Sequence, residues 1–206
     1  MRYEPDYKAK TRAKVLAEAS KTMRAEGMQG MGVAHVMAKA GLTHGAFYAH
    51  FDSKDALIDE TIKAMILQAR GRFESVTGEL GPDDALRAYI AFYLSPKHRD
   101  NDQTSCPLPW VAGDVARLGA SPRKHYGGIV AGLTELIATR LRALDHADAD
   151  AQASSVVAEL IGALALARAV GDKAQSDQIL QRSHDSVLAR LRLGPPAARA
   201  TALSST

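Results

Sequence analysis

One cysteine, Cys106, stands in 206 residues, so an internal disulfide framework is excluded and a reducing, cytoplasmic setting fits. Aromatic residues make up only 5%, and runs that alternate β-branched with polar residues are missing, which argues for an all-α protein. Long apolar runs are missing too. The longest, residues 160–167, falls well short of the roughly 20 residues a membrane helix needs. The opening MRYEPDYKAK is charged from the start and has no apolar segment of the kind a signal peptide carries. There is no GxSxG, P-loop, HExxH, paired-carboxylate or dinucleotide fingerprint, so neither an enzyme nor a cofactor is expected. Paired Cys/His spacing is also missing. A metal site could be assembled only from the scattered Cys106, His98 and His125, and none is expected. Nor is there a large excess of one charge: the formal net charge is +3, compatible with nucleic acid but no proof of it.

What the chain does have is apolar residues, 46% of the total, patterned at helical spacing. That suffices for a substantial core in one or two domains. Val15, Leu16, Ala19 and Met23 predict a helix over 7–26 that ends at Gly27. Ser53 is placed to cap a long helix reaching about residue 77, followed by helices over 83–94, about 106–118, 121–144, 151–170 and 172–193. Residues 95–105, SPKHRDNDQTS, read as a polar loop. About nine helices result, three in a small head and six in a larger body. The expected division is a small head over 1–52, a larger body over 53–193, and a disordered tail over 194–206.

The chain is organised around residues 33–54, VAHVMAKAGLTHGAFYAHFDSK. Val33, Val36, Met37 and Ala40 make one apolar stripe on a short helix, and Gly41 suits a left-handed C-cap. Thr43 is placed to cap a second short helix through its hydroxyl, with Phe47 inward and Phe51 closing the far end. Two short helices joined by a glycine-containing turn make a helix-turn-helix, whose second helix enters the DNA major groove. Thr43, His44, Gly45 and Tyr48 remain on the outer side. Thr43 and His44 are candidates for base edges, and Gly45 permits close backbone approach. His50 is a candidate phosphate contact. So is Lys10, which with Lys8, Arg12 and Lys14 crowds a helix start where the dipole disfavours cations unless a phosphate is near.

The stretch from Ala40 to Leu57 also resembles the recognition-helix signature of the TetR/AcrR transcriptional regulators. Ala40, Gly41, Leu42, Thr43, Gly45, Phe47, Tyr48, Phe51 and Lys54 fit that signature at its spacing. One departure is Gly32, where the family usually has Ser or Thr as a cap and phosphate contact. The resemblance implies a helix-turn-helix head on a six-helix body that binds a small molecule and dimerises. It also implies that Tyr48 hydrogen-bonds a phosphate and that Lys54 reaches the DNA backbone, contacts that set register rather than sequence choice.

In the body, Tyr89, Tyr93, Trp110, His125 and Tyr126 fall where an aromatic-walled pocket could form, although residues of this kind are more often plain core. Cys106 is read at a helix N-terminus, where the dipole lowers a thiol pKa. The Cys-Pro-Leu segment, followed by Ala112, Asp114, Ala116 and Arg117, resembles a subgroup of the family. Some of its members, such as the N-ethylmaleimide-responsive repressors, sense electrophiles through such a cysteine. The rival reading is a buried, inert residue. Leu160, Ile161, Leu164 and Ala165, interspersed with Gly162, Ala163 and Ala167, suit a flat homodimer surface on the last two helices. The expected function is a ligand- or electrophile-responsive regulator, a repressor that binds a palindromic double-stranded operator as a homodimer, with no membrane partner. The alternatives are a DNA-binding protein without a sensor or an all-α enzyme.

Overall fold

The computed structural model describes residues 5–101 and 105–194, whose regular structure is all helical, with no strand among them. The disordered tail expected over 194–206 lies, from residue 195 on, outside the described residues. Nine α-helices are present among the described residues: α1 (Pro5–Glu26), α2 (Val33–Lys39), α3 (Lys54–Thr77), α4 (Pro82–Tyr93), α5 (Pro96–Arg99), α6 (Leu108–Val115), α7 (Ala120–Ala143), α8 (Ala149–Ala169) and α9 (Lys173–Arg190). Two 3₁₀ turns, Gly27–Gly30 and His44–Ala49, complete the head.

Local chemistry explains most of these ends. The Ser53 hydroxyl accepts from the Ala56 amide at 3.0 Å, with Asp55 in the first turn of α3 where the dipole favours an anion. Asp172 caps α9 in the same way, accepting from the Gln175 amide at 2.7 Å. The segment read as a loop over 95–105 instead contains α5. Ser95 caps it through the His98 amide, Pro96 occupies its first position, and His98 and Arg99 are buried. Polar composition was misleading there, because both charged-type side chains find partners inside the body.

α1, α2 and the 3₁₀ turns form the head around Val15, Met23, Val36, Met37 and Phe47, all at most 1% exposed. α3 belongs to both parts: it packs on α1 at its start and on α4 and α7 further along. α8 packs against α7 on one side and α9 on the other. It is long and apolar enough to cross a membrane by length and composition, unlike the short run picked out in the sequence. Its burial of Val156, Val157, Leu160 and Leu164 in the body accounts for that apolarity. That burial also corrects the expected dimer surface, since Leu160 and Leu164 are both 0% exposed and face inward. The outer stripe of α8 is carried by Ile161, Gly162, Ala165 and Leu166, the last 60% exposed.

Candidate nucleic-acid interface and body cavity

In the head, the turn between the two short elements is a Schellman closure. Gly41 takes φ +68°, its amide donates to the Ala38 carbonyl, and the Leu42 amide donates to the Met37 carbonyl. The second element is a 3₁₀ turn, and the Thr43 hydroxyl makes no capping bond, so that expectation is corrected. The turn is held from beneath instead. The buried rings of Phe47 and Phe51 stack at 5.6 Å, and the Arg12 guanidinium lies 4.9 Å from the Phe51 centroid while pairing with Glu60. Arg12 is therefore committed to the fold. Thr43, His44 and Gly45 face solvent, and Tyr48 is 67% exposed, its ring edge-on to Phe47 at 5.2 Å. A Cβ on Gly45 would meet nothing within 4 Å. Lys10 and Lys54 are also exposed. His50 is set back: it is half-buried, and burial, with Lys8 and Arg12 nearby, pushes its pKa down, against the cationic form that would hold a phosphate. At Gly32, the N-cap of α2, there is no side-chain cap. One turn further on, Glu26 takes His35 at 2.9 Å and also pairs with Lys39, which ties α2 to the end of α1.

In the body, a cavity of about 470 Å³ lies between α3 and α7. Ile66, Ala69 and Phe73 of α3 form one wall, and Gly128, Gly132 and Leu136 of α7 the other, with Tyr89, Cys106 and Leu108 between them. The volume and the mainly apolar lining suit a small-molecule site. α3 and α7 run the same way past this slot and are bridged at both ends. Near the head, Asp59 takes Ser121 at 3.3 Å and pairs with His125. At the far end, the Arg140 guanidinium lies 4.5 Å over Phe73 and reaches the Thr77 hydroxyl at 3.5 Å.

Of the five residues expected to wall an aromatic pocket, Tyr89 does so, and Cys106 joins it. Tyr93 is buried beside them in the core. Trp110 lies beneath the Arg168 guanidinium at 4.3 Å. His125 is drawn off to Asp59, and Tyr126 is half-buried, its hydroxyl donating to the Leu108 carbonyl at 3.3 Å. The expectation of a lowered thiol pKa at Cys106 is also corrected. Burial raises it, and the Tyr93 hydroxyl, the Leu108 amide, Arg168 and Arg24 offset only part of that rise. A largely buried thiol gains less from dipoles than it loses from leaving water. His98 could not join it as a metal ligand, because Nδ1 donates to the Tyr93 carbonyl at 2.7 Å and Nε2 accepts from the Cys106 amide at 2.9 Å.

Residues not singled out in the sequence connect this cavity to the head. Arg24, near the end of α1, donates to the Ser105 carbonyl at 3.1 Å and to Gln68 of α3 at 2.8 Å. Asp114, near the end of α6, accepts from the Met28 amide at 3.2 Å in the turn after α1. The stretch from Ser105 to Asp114, which contains Cys106 and Leu108, is thus tied at both ends to the last part of α1. Asp114 had been noticed only as part of a pattern. A burial stripe in the sequence does not mark a partner 86 residues away.

Comparison with known proteins adds the following. Residues 15–61 match the family model described as bacterial regulatory proteins, tetR family. No curated protein sequence matches the chain. Among solved structures, a TetR transcriptional regulator from Chloroflexus aurantiacus is similar with a TM-score of 0.79 at 22% identity, over 91% of this chain and 96% of that one. Escherichia coli NemR in its reduced form is similar with a TM-score of 0.76 at 21% identity, over 86% and 95%. A TetR-family regulator from Cytophaga hutchinsonii gives 0.76 at 18%, over 88% and 95%. At these identities the likeness is one of fold. The head thus matches the tetR family model over residues 15–61, and the fold is shared along nearly the whole length of those TetR-family structures.

Proposed function

We propose that this protein is a ligand-responsive repressor that binds a palindromic operator as a homodimer and leaves it when a small molecule enters the body. The observation that carries the reading is the cavity between α3 and α7, because α3 starts directly beneath the recognition turn and forms one wall of the cavity. Two heads must lie about 34–36 Å apart to read successive major grooves. A ligand that favours a different tilt of α3 therefore lowers DNA affinity by its differential affinity for the two states. Thr43, His44, Gly45 and Tyr48 meet the groove, with Lys10 and Lys54 on phosphates. The dimer forms through the outer stripe of α8, Ile161, Gly162, Ala165 and Leu166, with α9 beside it, and the protein works in the cytoplasm.

Fluorescence anisotropy on fragments from the DNA flanking its own gene tests this. The expected result is salt-sensitive binding to an inverted repeat, released by a compound that also raises the melting temperature. Absence of any sequence-specific binding at low salt would overturn it. Binding that no compound in a broad panel releases or stabilises favours a DNA-binding protein without a sensor.

A second reading, reaction of an electrophile with Cys106, has one observation in its favour: the thiol is part of the cavity wall. Burial raises its pKa and so disfavours the thiolate that such a reaction needs. Cys106→Ser separates the two, since it abolishes the response only where the inducer is covalent.

A further inference from the structure

The chemistry around the cavity narrows what it holds. Most of its wall is hydrocarbon, and three charged side chains border it: Arg70, Glu135 and Arg140. Two of them are already neutralised. Arg70 holds Glu74 at 3.0 Å, and Glu135 accepts from Arg142 at 3.0 and 3.1 Å and from Thr139 at 3.0 Å. Among the described residues, Arg140 has no carboxylate partner. It donates to the Leu136 carbonyl at 2.9 Å and to the Thr77 hydroxyl at 3.5 Å, which uses two of the five N–H groups of a guanidinium. Its plane rests on Phe73, and burial lowers its pKa, so the cation is held in place at some cost to its own solvation.

A second observation concerns α7. Gly128 and Gly132 lie one turn apart on the face towards the cavity, inside a helix where glycine is less stable than alanine. Close packing does not require them, since a Cβ at either position would meet nothing within 4 Å. Their lack of side chains leaves an open, flat strip that leads along α7 towards Arg140.

We propose that the cavity takes an apolar monoanion, a carboxylate on a hydrocarbon or aryl body. Its acid end sits on Arg140, and its body lies over Gly128 and Gly132. The proposal rests on the ligand-responsive reading above. A cation is disfavoured by Arg140, and a sugar or polyphosphate would leave many polar groups facing hydrocarbon. A carboxylate, by contrast, would complete the guanidinium with charge-assisted hydrogen bonds.

The test uses the full chain and three probes of equal length, decanoate, 1-decanol and decylamine, by calorimetry and by displacement of Nile red. Decanoate is expected to bind about tenfold or more tighter than 1-decanol, the scale of one charge-assisted contact. Arg140→Met should remove that preference and leave 1-decanol binding unchanged, whereas Arg140→Lys should keep part of it. Gly132→Leu should weaken all three. Equal binding of decanoate and 1-decanol, preference for decylamine, or a decanoate preference that survives Arg140→Met would overturn the proposal while leaving the cavity a ligand site. If none of the three binds, and Nile red fluorescence is the same in wild type and Gly132→Leu, the ligand-cavity reading fails and the proposal with it.

Discussion

His98 joins α5 to the segment that leads into α6, and it does so only as a neutral ring. Its Nε2 accepts from the Cys106 amide and its Nδ1 donates to the Tyr93 carbonyl, with the rings of Phe92 and Tyr93 each 4.9 Å away. Burial is the main reason its pKa falls from 6.5 to about 4, with Arg168 and Arg72 adding to the fall. The sign follows. Above about pH 6.5 the ring is neutral both folded and unfolded, so its stabilising contribution is intact. As pH falls from there towards about 4, the unfolded chain takes a proton that the folded one refuses, and stability is lost. The full loss is about 3 kcal/mol for a shift of this size. His98→Ala should cost about 1–3 kcal/mol for each buried backbone group it leaves unpaired. Chemical denaturation at pH 7 and pH 5 should then show a flatter pH dependence in the variant than in the wild type. An unchanged pH dependence would mean that His98 is not the group that titrates.

At the scale of the element, the recognition turn separates what holds it from what it offers to a partner. Phe47, Phe51 and Arg12 hold it from below, while Tyr48 is mostly exposed. Tyr48→Phe removes an exposed hydroxyl that no other described residue bonds. It should leave the melting temperature within about 2 °C, since surface changes of this kind stay near ±0.5 kcal/mol. DNA binding should weaken by about 1 kcal/mol on every sequence alike, as loss of a phosphate contact does, whereas His44→Ala should alter the preference among operator variants. Competition binding with scrambled DNA distinguishes the two. α2 and this turn were legible because apolar spacing and Gly41 are local signals. The 3₁₀ character of the turn and the unused Thr43 hydroxyl were not, since both depend on how Phe47 and Phe51 seat against α1 and α3.

For the whole molecule, the outer stripe of α8 is one apolar part that a single chain leaves uncovered. Ile161, Gly162 and Ala165 are half-buried and Leu166 is 60% exposed, while Leu160 and Leu164 are fully enclosed by the body. Leu166→Glu should therefore leave the helical content and melting of a single chain intact. If the proposed dimer uses this stripe, the variant should shift towards monomer in sedimentation and lose at least about tenfold in operator affinity, because one head reads too short a site. A variant that stays dimeric would place the interface elsewhere.

Features carried by near neighbours in the chain were determined by sequence alone. The all-α class, the long α3 with its Ser53 cap, the Gly41 turn and the outward set of Thr43, His44, Gly45 and Tyr48 all follow from spacings of two to seven residues. What only the tertiary structure decided involves partners far apart along the chain. Asp59 draws His125 away from the cavity, and Arg168 does the same for Trp110. Asp114 meets Met28, Arg24 meets Ser105, and Arg140 comes to rest on Phe73 beside two helical glycines. The Cys106 thiol moved from an expected low pKa to a raised one for the same reason. A helix terminus is a local feature of the chain, but desolvation is set by everything packed around it.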